Sequence, residues 1–329
     1  MTWLFFLLAA AAVILAGRKL ALYGDILAEK TGLGRSWIGL VLVAATTSLP
    51  ELFTGISASA IFVVPDIIVG NVLGACLLNL ALIGVLDLVG GKRSWSCQAS
   101  AGHALSAGFG LVLTGVVGLS LFFGDAIPSF AGIGLTTPVL VLIYLLALRL
   151  SFVYEKNAMK EAEALEKVYG RVSLGQAAVG YTLAAAVVVT AAIFLPYLGE
   201  KIAEETGIAQ AFVGTLFVSL VTTLPEGTVT VAAARMGAVD LGIGNLLGSW
   251  MFNLVILAVG DILYREGPIL GAARGNHLIT AMGIGLLCGI FLVGLTYRQE
   301  KKGLKVAGWD TAALFLAYAV TLALVWTKG

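Results

Sequence analysis

The sequence has few charged residues, few histidines and few cysteines, and each shortage excludes a class of protein. Asp, Glu, Lys and Arg make up 12% of its 329 residues, about half of the roughly 25% typical of a soluble domain. The three cysteines, Cys76, Cys97 and Cys288, form neither an even-numbered disulfide framework nor the spacing of a zinc site. A net charge of +1 without any basic run gives no support to a nucleic-acid partner.

What the chain has in abundance is long apolar segments. It is 59% hydrophobic, with a mean hydropathy of +1.00, and its apolar runs reach the roughly 20 residues that cross a bilayer as a helix. The first run lacks the basic start and small-residue cleavage site of a signal peptide, so we expect it to be a retained span. The pattern predicts an all-α polytopic membrane protein with ten transmembrane helices over 2–27, 37–62, 66–90, 98–124, 127–153, 174–199, 210–234, 240–264, 276–297 and 307–327.

One long polar segment divides these spans into two groups of five. The predicted units are a first five-helix half over 1–153, a linker over 154–173 and a second half over 174–329. An outside N-terminus assigns sixteen of the twenty lysines and arginines to inner loops, which is a strong positive-inside bias. We therefore expect the protein to lie in the cell membrane (the inner or plasma membrane), with both termini on its outer side and the linker in the cytoplasm.

The two halves contain an internal repeat. Residues 24–51 and 199–226 are identical at eleven of 28 positions with an offset of 175, and 66–87 aligns with 240–261 at an offset of 174. Because five spans are an odd number, the second copy enters the membrane in the opposite orientation. Inverted repeats with interrupted helices are typical of secondary transporters, whose ion sites lie near the midplane between the repeats.

The repeat brings a proline and a carboxylate into two apolar spans. The stretch TTSLPEL at 46–52 recurs as TTLPEG at 222–227. Proline removes a backbone donor and clashes with the carbonyl four residues earlier, so Pro50 and Pro225 predict a break in each helix. Such a break is tolerated in a membrane where it is packed in protein or lines a polar cavity.

Glu51 and Glu226 follow these prolines directly, and a carboxylate at the midplane is costly unless it is compensated. All Lys and Arg residues fall at the ends of the predicted spans or in loops, so we expect each glutamate to hold a proton or a mobile cation. Asparagines on spans three and eight, among them Asn79 and Asn253, supply amide oxygens at helical spacing. Carboxylates, hydroxyls and amides together predict an all-oxygen site suited to Ca²⁺ or Na⁺.

TTSLPEL with GNVLGACLLNL, and TTLPEG with GNLLGSWMFNL, resemble the two α-repeats of the cation/Ca²⁺ exchanger superfamily, and most closely those of prokaryotic sodium/calcium exchangers. The resemblance covers essentially the whole chain. It implies ten helices in two inverted repeats, with helices one and six sliding across a core of broken helices. It also implies a Ca²⁺/Na⁺ antiporter that extrudes Ca²⁺, has no cofactor and is not an enzyme, and in which one chain suffices for transport.

The resemblance assigns ion ligands position by position. Glu51 and Glu226 become the carboxylates that Ca²⁺ and the competing cation share. The remaining implied ligands are the hydroxyl or carbonyl groups of Thr47, Ser48, Thr222 and Thr223, the hydroxyl of Ser249 and the amides of Asn79 and Asn253.

Three departures from the family pattern leave the counter-ion open. Ala75 replaces a serine on span three, Thr223 replaces a serine before Leu-Pro-Glu, and Asn253 stands where many sodium-coupled members have Asp. A site with two acids also matches the Ca²⁺/H⁺ branch, since two protons balance one Ca²⁺. Ca²⁺/H⁺ exchange is therefore the alternative, and a cation channel with a carboxylate constriction is a more distant one.

Two further pairs recur at the offset of 174. His103 and His277 are the only histidines, and we interpret them as helix-start residues retained from the duplication, with pH sensing as the alternative. Asp87 and Asp261 are predicted to be solvated helix ends, or partners of Arg93 and Arg265.

Overall fold

A computed structural model describes residues 2–60, 63, 65–89, 93–161, 169, 172–206, 220, 222–273, 277–300 and 307–328. This part of the chain is almost entirely helical. Its long helices are α1 (Thr2–Thr31), α5 (Pro65–Val89), α7 (His103–Phe123), α8 (Thr136–Glu161), α9 (Leu174–Thr206), α11 (Val239–Leu263), α13 (His277–Tyr297) and α14 (Trp309–Lys328). Its shorter helices are α2 (Arg35–Ile38), α3 (Ala44–Thr47), α4 (Leu49–Ala60), α6 (Trp95–Gln98), α10 (Leu224–Arg235) and α12 (Ile269–Ala272), with a π-helical turn over Gly39–Val43 between α2 and α3.

Eight of the described helices are long and apolar enough to cross a membrane, and the bent pair Arg35–Thr47 and Leu49–Ala60 makes a ninth. Nine of the ten predicted spans thus have a helical counterpart. The tenth, predicted over 210–234, lies in its first part outside the described residues, and its second part forms α10. The number ten therefore stays a prediction.

The prediction is wrong at both ends of span five. The segment 127–153 was expected to be one helix, but a 3₁₀ turn over Gly124–Ala126 and an antiparallel pair of two-residue strands, β1 (Ser129–Phe130) and β2 (Ile133–Gly134), precede α8. Gly132 adopts a φ of +82° between the strands, which is a conformation that glycine accepts without strain. At its other end α8 continues to Glu161, so the first residues of the predicted linker extend a transmembrane helix.

Helices α5 and α11 form the centre of the molecule. In their membrane-spanning windows 67% and 72% of the residues are buried, against 22% to 44% in the other six long helices. Their sequences are apolar around the whole circumference, as expected of helices with protein on all sides. Contacts at their ends show that they run antiparallel: Asp87 and Asp240 both bind the segment around Trp95–His103, whereas Asp261 and Asp66 bind Ile269 and His277.

Helices α1 and α9 pack along each other across this core. With 30 and 33 residues, they are about 45 and 50 Å long at 1.5 Å per residue, which exceeds the roughly 30 Å of a hydrocarbon core. Gly17 of α1 lies against Thr228 of α10, and Tyr181 of α9 donates a hydrogen bond to the Leu42 carbonyl beside the first broken helix. The long pair therefore touches both broken segments.

The end of the linker is anchored to α1. The backbone N–H of Tyr169 donates to the Glu29 carboxylate at 3.1 Å, and its phenol donates to Asp25 at 2.9 Å. Asp25 also forms an ion pair with Arg35 at the start of α2. Burial, together with the hydrogen bond to Asp25, raises the pKa of Tyr169 to about 12, so the phenol remains a donor at physiological pH.

Candidate ion-binding site between two broken helices

The first helix break lies at Ser48. Helix α3 ends at Thr47, Ser48 has φ −89° and ψ 7°, and α4 begins at Leu49. The two segments meet at 44°. Pro50 has no N–H to donate to the carbonyl of Thr46, but proline is well tolerated in the first turn of a new helix. The predicted break is confirmed, two residues before the proline that causes it.

The second break has the same geometry. Thr223 adopts φ −80° and ψ 2°, α10 begins at Leu224, and Pro225 lies in its first turn. Ser48 and Thr223 correspond to each other in the repeat and share the sparsely populated bridge region of backbone conformations. Residues 207–219 and 221, which precede this break, lie outside the described residues.

The two breaks bring Glu51 and Glu226 close to each other in the interior. Both side chains are fully buried, and the carboxylates lie near enough to interact electrostatically. The Thr222 hydroxyl faces Glu51. Among the described residues, no ion pair joins either glutamate to Lys, Arg or His. A buried carboxylate without a cationic partner is stable only when it is protonated or holds a mobile cation.

Hydroxyl groups surround Glu226. Ser48 donates to its Oε1 at 3.0 Å, and the Thr47 and Ser249 hydroxyl oxygens are 3.3 Å apart. All three side chains are buried. Ser48 and Thr47 come from the first half of the chain, while Ser249 and Glu226 come from the second. The site is therefore built across the two halves.

Asn245, one of the span-eight asparagines expected to supply an amide oxygen, belongs to the same cluster, and so does Thr230, which was not predicted as a site residue. Asn245 accepts a hydrogen bond from Thr47 at 3.1 Å and donates to the Glu226 carbonyl at 3.3 Å and to Thr230 at 3.4 Å. Asn245 lies on the same helical stripe as Ser249, and Thr230 follows Glu226 by four residues, which places it on the same helix face. Both spacings were available in the sequence.

Asn79 and Asn253 lie in the core without a partner among the described residues. Both are fully buried, and neither amide oxygen nor nitrogen of either residue has a hydrogen bond to a described residue. The same holds for both carboxylate oxygens of Glu51 and for Oε2 of Glu226. Buried polar atoms in native proteins are almost always paired. Five such oxygens, two from Glu51 and one each from the other three residues, suit a hard cation with six to eight oxygen ligands.

Of the nine residues predicted as ligands, all are buried. One hydrogen bond joins Thr47 to Ser249, and another joins Ser48 to Glu226. Thr222 lies beside Glu51, and Thr223 forms the second break. The structure thus gathers them at the breaks and in the central helices, while their role as ligands stays a prediction.

The wall beside Glu51 is less polar than the wall beside Glu226. Ala75 stands at the position that Ser249 occupies in the second half, and it is fully buried. The neighbouring Cys76 thiol contacts the Trp250 carbonyl at 3.6 Å, and Cys288 makes a similar contact with the Ala107 carbonyl. Both thiols are free and buried, so these two cysteines are packing residues.

Close helix packing positions the second wall. A Cβ atom at Gly244 or Gly248 of α11 would collide with the backbone of the Ser36–Leu40 segment. These two glycines therefore allow α11 to pack closely against that segment. Because no side chain separates the backbones, Ser249 reaches Thr47 on the broken helix.

The prediction for Asp87 and Asp261 as solvated helix ends is wrong. They are 1% and 4% exposed, and each accepts hydrogen bonds from backbone N–H groups and a threonine hydroxyl. A buried carboxylate supplied with several donors needs neither water nor a cation. They act as caps that fasten neighbouring segments to α5 and α11.

The histidines begin α7 and α13, as predicted, but they also join the two halves. His103 binds Asp240 and His277 binds Asp66, each at 2.9 Å between Nε2 and Oδ1. Each pair links the first residue of one helix to the start of the central helix in the other half. The sequence showed the duplication of these residues but not their reciprocal partners.

Apolar membrane-spanning helices around two breaks, with unpaired buried oxygens between them, define a polytopic transporter of small cations. The chain matches the sodium/calcium exchanger protein family twice, over residues 1–179 and 176–327, and it belongs to that family. It is therefore a multi-pass membrane antiporter, and not an enzyme.

The relatives and solved structures agree with this assignment. Sodium/calcium exchanger MaX1 from Methanosarcina acetivorans is 27% identical, with 90% of each chain covered. The putative antiporter CaxA from Alkalimonas amylolytica is 26% identical, with 87% of each covered. The sodium-calcium exchanger NCX_Mj, soaked with Na⁺ and Sr²⁺, superimposes with a TM-score of 0.75 at 20% identity, over 98% of this chain and 99% of the other, which shows the shared fold.

Proposed function

We propose that this protein exchanges Ca²⁺ for Na⁺ by alternating access, with Glu51 and Glu226 as the carboxylates for which the two ions compete. The observation that carries the proposal is the pair of fully buried glutamates, facing each other without a cationic side chain among the described residues. Together they carry two negative charges, which one Ca²⁺ or two Na⁺ neutralise. A neutral core costs less to move between the two sides of a membrane than a charged one.

The other predicted ligands complete an oxygen cage. Thr47, Ser48 and Ser249 surround Glu226, and Thr222 and Thr223 hold the corresponding positions at the second break. Asn79 and Asn253 supply amide oxygens from α5 and α11. Their unpaired, buried amides support this role because an ion in the cage would give those oxygens a partner.

The proposed topology consists of ten spans in two inverted five-helix repeats, 1–153 and 174–329, joined by the linker 154–173. The antiparallel course of α5 and α11 and the double match to one family support the repeats. The distribution of lysine and arginine supports outside termini, a cytoplasmic linker and a cell-membrane location. An inward Na⁺ gradient would then drive Ca²⁺ out of the cell, with α1 and α9 sliding across the core.

Ca²⁺/H⁺ exchange is the second candidate, and two observations favour it. Ala75 removes a hydroxyl from the Glu51 side, and Asn253 leaves the core with two acids. Two protons on Glu51 and Glu226 would neutralise the empty site as well as two Na⁺ ions do. The name of MaX1 as a sodium/calcium exchanger supports the sodium-coupled alternative.

Uptake of radiolabelled Ca²⁺ into proteoliposomes separates these candidates. One set is loaded with Na⁺ at equal pH on both sides, and the other is Na⁺-free with an acidic lumen. Uptake driven only by outward Na⁺ supports the proposal, and uptake driven only by protons replaces it with Ca²⁺/H⁺ exchange. Ca²⁺ flux that needs neither gradient and shows no competition would identify a channel.

A further inference from the structure

Asp87 and Asp261 cap their helices with corresponding bonds. Asp87 Oδ1 accepts from the Trp95 N–H at 2.8 Å, and its Oδ2 accepts from the Gly308 N–H and the Thr311 hydroxyl, both at 2.8 Å. Thr311 and Gly308 lie at the start of α14. The cap therefore ties the end of α5 to the beginnings of α6 and α14.

The second copy repeats this arrangement bond for bond. Asp261 Oδ1 accepts from the Ile269 N–H at 2.7 Å, and its Oδ2 accepts from the Gly134 N–H at 2.9 Å and the Thr137 hydroxyl at 2.6 Å. Each donor is 174 residues from its counterpart at Asp87, the same offset that relates the two aspartates. Each residue of one cap can therefore be compared with the residue 174 positions away in the other cap, and a difference between them marks a change since the duplication.

The copies differ at the residue beside the capping threonine. In the Asp261 copy, Thr136 hydrogen-bonds Ser120 at 2.6 Å between hydroxyl oxygens. The corresponding positions in the Asp87 copy are Asp310 and Gly294. One copy thus contains a satisfied neutral pair where the other has a carboxyl group facing a glycine.

Asp310 is buried with an unsatisfied oxygen. Its side chain is fully buried, its Oδ1 accepts from the Thr311 N–H at 3.0 Å, and its Oδ2 has no hydrogen-bond partner among the described residues. A Cβ atom on Gly294 would lie 3.0 Å from Oδ2 and 3.2 Å from the Trp95 ring. The unsatisfied oxygen therefore lies in the buried space beside Gly294 and the Trp95 ring, whose Nε1 also has no hydrogen-bond partner among the described residues. In a buried position a carboxylate anion is costly and a neutral carboxylic acid much less so.

Among the described residues, the charged groups nearby do not compensate an anion. The ionisable residues at the end of α5, in α6, and at the end of α13 with the residue that follows it are Asp87, Cys97, Tyr297 and Arg298. Asp87 lies near enough to interact electrostatically, Arg298 donates to the Ala99 carbonyl at 3.3 Å, and Tyr297 packs edge-on against Trp309. Within the described residues, no ion pair includes Asp310. A second anion beside Asp87 would be repelled by it.

We propose that Asp310 is a proton-binding site that regulates exchange from the membrane face where α5 ends and α14 begins. The occupant is a proton, because the space around Oδ2 is closed by Gly294 and Trp95. The Ser96 hydroxyl faces the carboxyl and can accept the acid hydrogen. Loss of the proton leaves two neighbouring anions and weakens the cap that holds α5, α6 and α14 together. Rising pH on that face therefore slows exchange.

Infrared spectroscopy and unfolding test the proton without any transport. We compare the wild type with Asp310→Asn and with Gly294→Ser/Asp310→Thr, which installs the serine–threonine pair of the other copy. The wild type is expected to show a carboxylic-acid band at neutral pH that both variants lack, in addition to any band from Glu51 and Glu226, which all three proteins retain. Its Tm relative to either variant is expected to fall as pH rises above about 5, because the unfolded chain releases the proton first. A missing band together with a Tm difference that stays constant with pH would overturn the proposal.

Transport tests the regulatory part, which rests on the proposed exchange. With pH varied on one side only, wild-type exchange is expected to slow several-fold as the pH on that side rises from acidic to alkaline, because a buried acid that loses its proton becomes a costly anion. Asp310→Asn is expected to lose this dependence. Equal pH dependence in wild type and variant would refute the regulation. A wild type without any exchange would count against the proposed function, while the infrared band would still decide the proton site.

Discussion

The two halves of the ion site differ most in what surrounds each glutamate. Glu226 accepts a hydrogen bond from Ser48 and lies within a cluster that includes Thr47 and Ser249. The Thr222 hydroxyl faces Glu51, but among the described residues neither Glu51 oxygen has a hydrogen-bond partner, and the counterpart of Ser249 on its side is Ala75. The change from serine to alanine leaves the Glu51 side with one hydroxyl fewer than the Glu226 side. A duplicated sequence need not make equivalent binding sites.

The largest effect is expected when each glutamate is neutralised in turn, which tests whether the two sides of the site are both needed. Glu51→Gln and Glu226→Gln are each expected to abolish Ca²⁺ exchange, a loss of at least about 100-fold, because truncating a fully buried charge partner costs several kcal/mol. Radiolabelled Ca²⁺ uptake measures the loss, and size-exclusion chromatography checks folding. Wild-type flux in either variant would remove the central role of that carboxylate.

Exchanging the residues that distinguish the halves gives a smaller effect. Ser249→Ala removes a hydroxyl oxygen and is expected to weaken the apparent Na⁺ affinity about 2- to 10-fold, the range for one neutral hydrogen bond or oxygen contact. Ala75→Ser is expected to strengthen it by a similar factor. The Na⁺ dependence of Ca²⁺ uptake measures both. Unchanged Na⁺ dependence in both variants would show that neither position contributes a Na⁺ ligand.

The two histidine–aspartate pairs are expected to contribute differently to the stability of the fold. His103 is 1% exposed and its partner Asp240 30%, whereas His277 and Asp66 are 12% and 46% exposed. His103→Ala is therefore expected to cost about 1–2 kcal/mol and His277→Ala less than about 1 kcal/mol, since exposed pairs are weak. Thermal unfolding in detergent at one pH ranks them. Equal losses would show that burial does not distinguish these pairs.

The smallest effect is expected in the linker, which joins the two halves and is not itself duplicated. Tyr169→Phe removes the hydrogen bond to Asp25 and is expected to destabilise the protein by about 0.5–1.5 kcal/mol. Tyr197→Phe, at an exposed tyrosine, is the matched control with no expected change. Melting temperatures of the three proteins provide the measurement. A Tyr169→Phe variant as stable as the control would show that the backbone contact with Glu29 suffices.

Local chemistry made several features predictable from the sequence. Pro50 and Pro225 had to interrupt their helices because proline lacks an amide hydrogen, and both breaks are present. The long apolar runs gave the positions of the described membrane helices to within a few residues, with the exception of spans five and six. Helix α8 continues past residue 153 and α9 past residue 199 as polar helix, which hydropathy alone does not detect.

The sequence by itself determined the class of protein, the duplication and the buried carboxylates, because hydropathy, repeat spacing and proline act along the chain. Only the tertiary structure decided which groups meet: Ser48 with Glu226, His103 with Asp240, Asp310 with Gly294. These partners are 178, 137 and 16 residues apart, and their contacts depend on how antiparallel helices pack. A carboxyl group appears the same in the sequence whether it is capped, paired or left unsatisfied, and packing alone distinguishes these states.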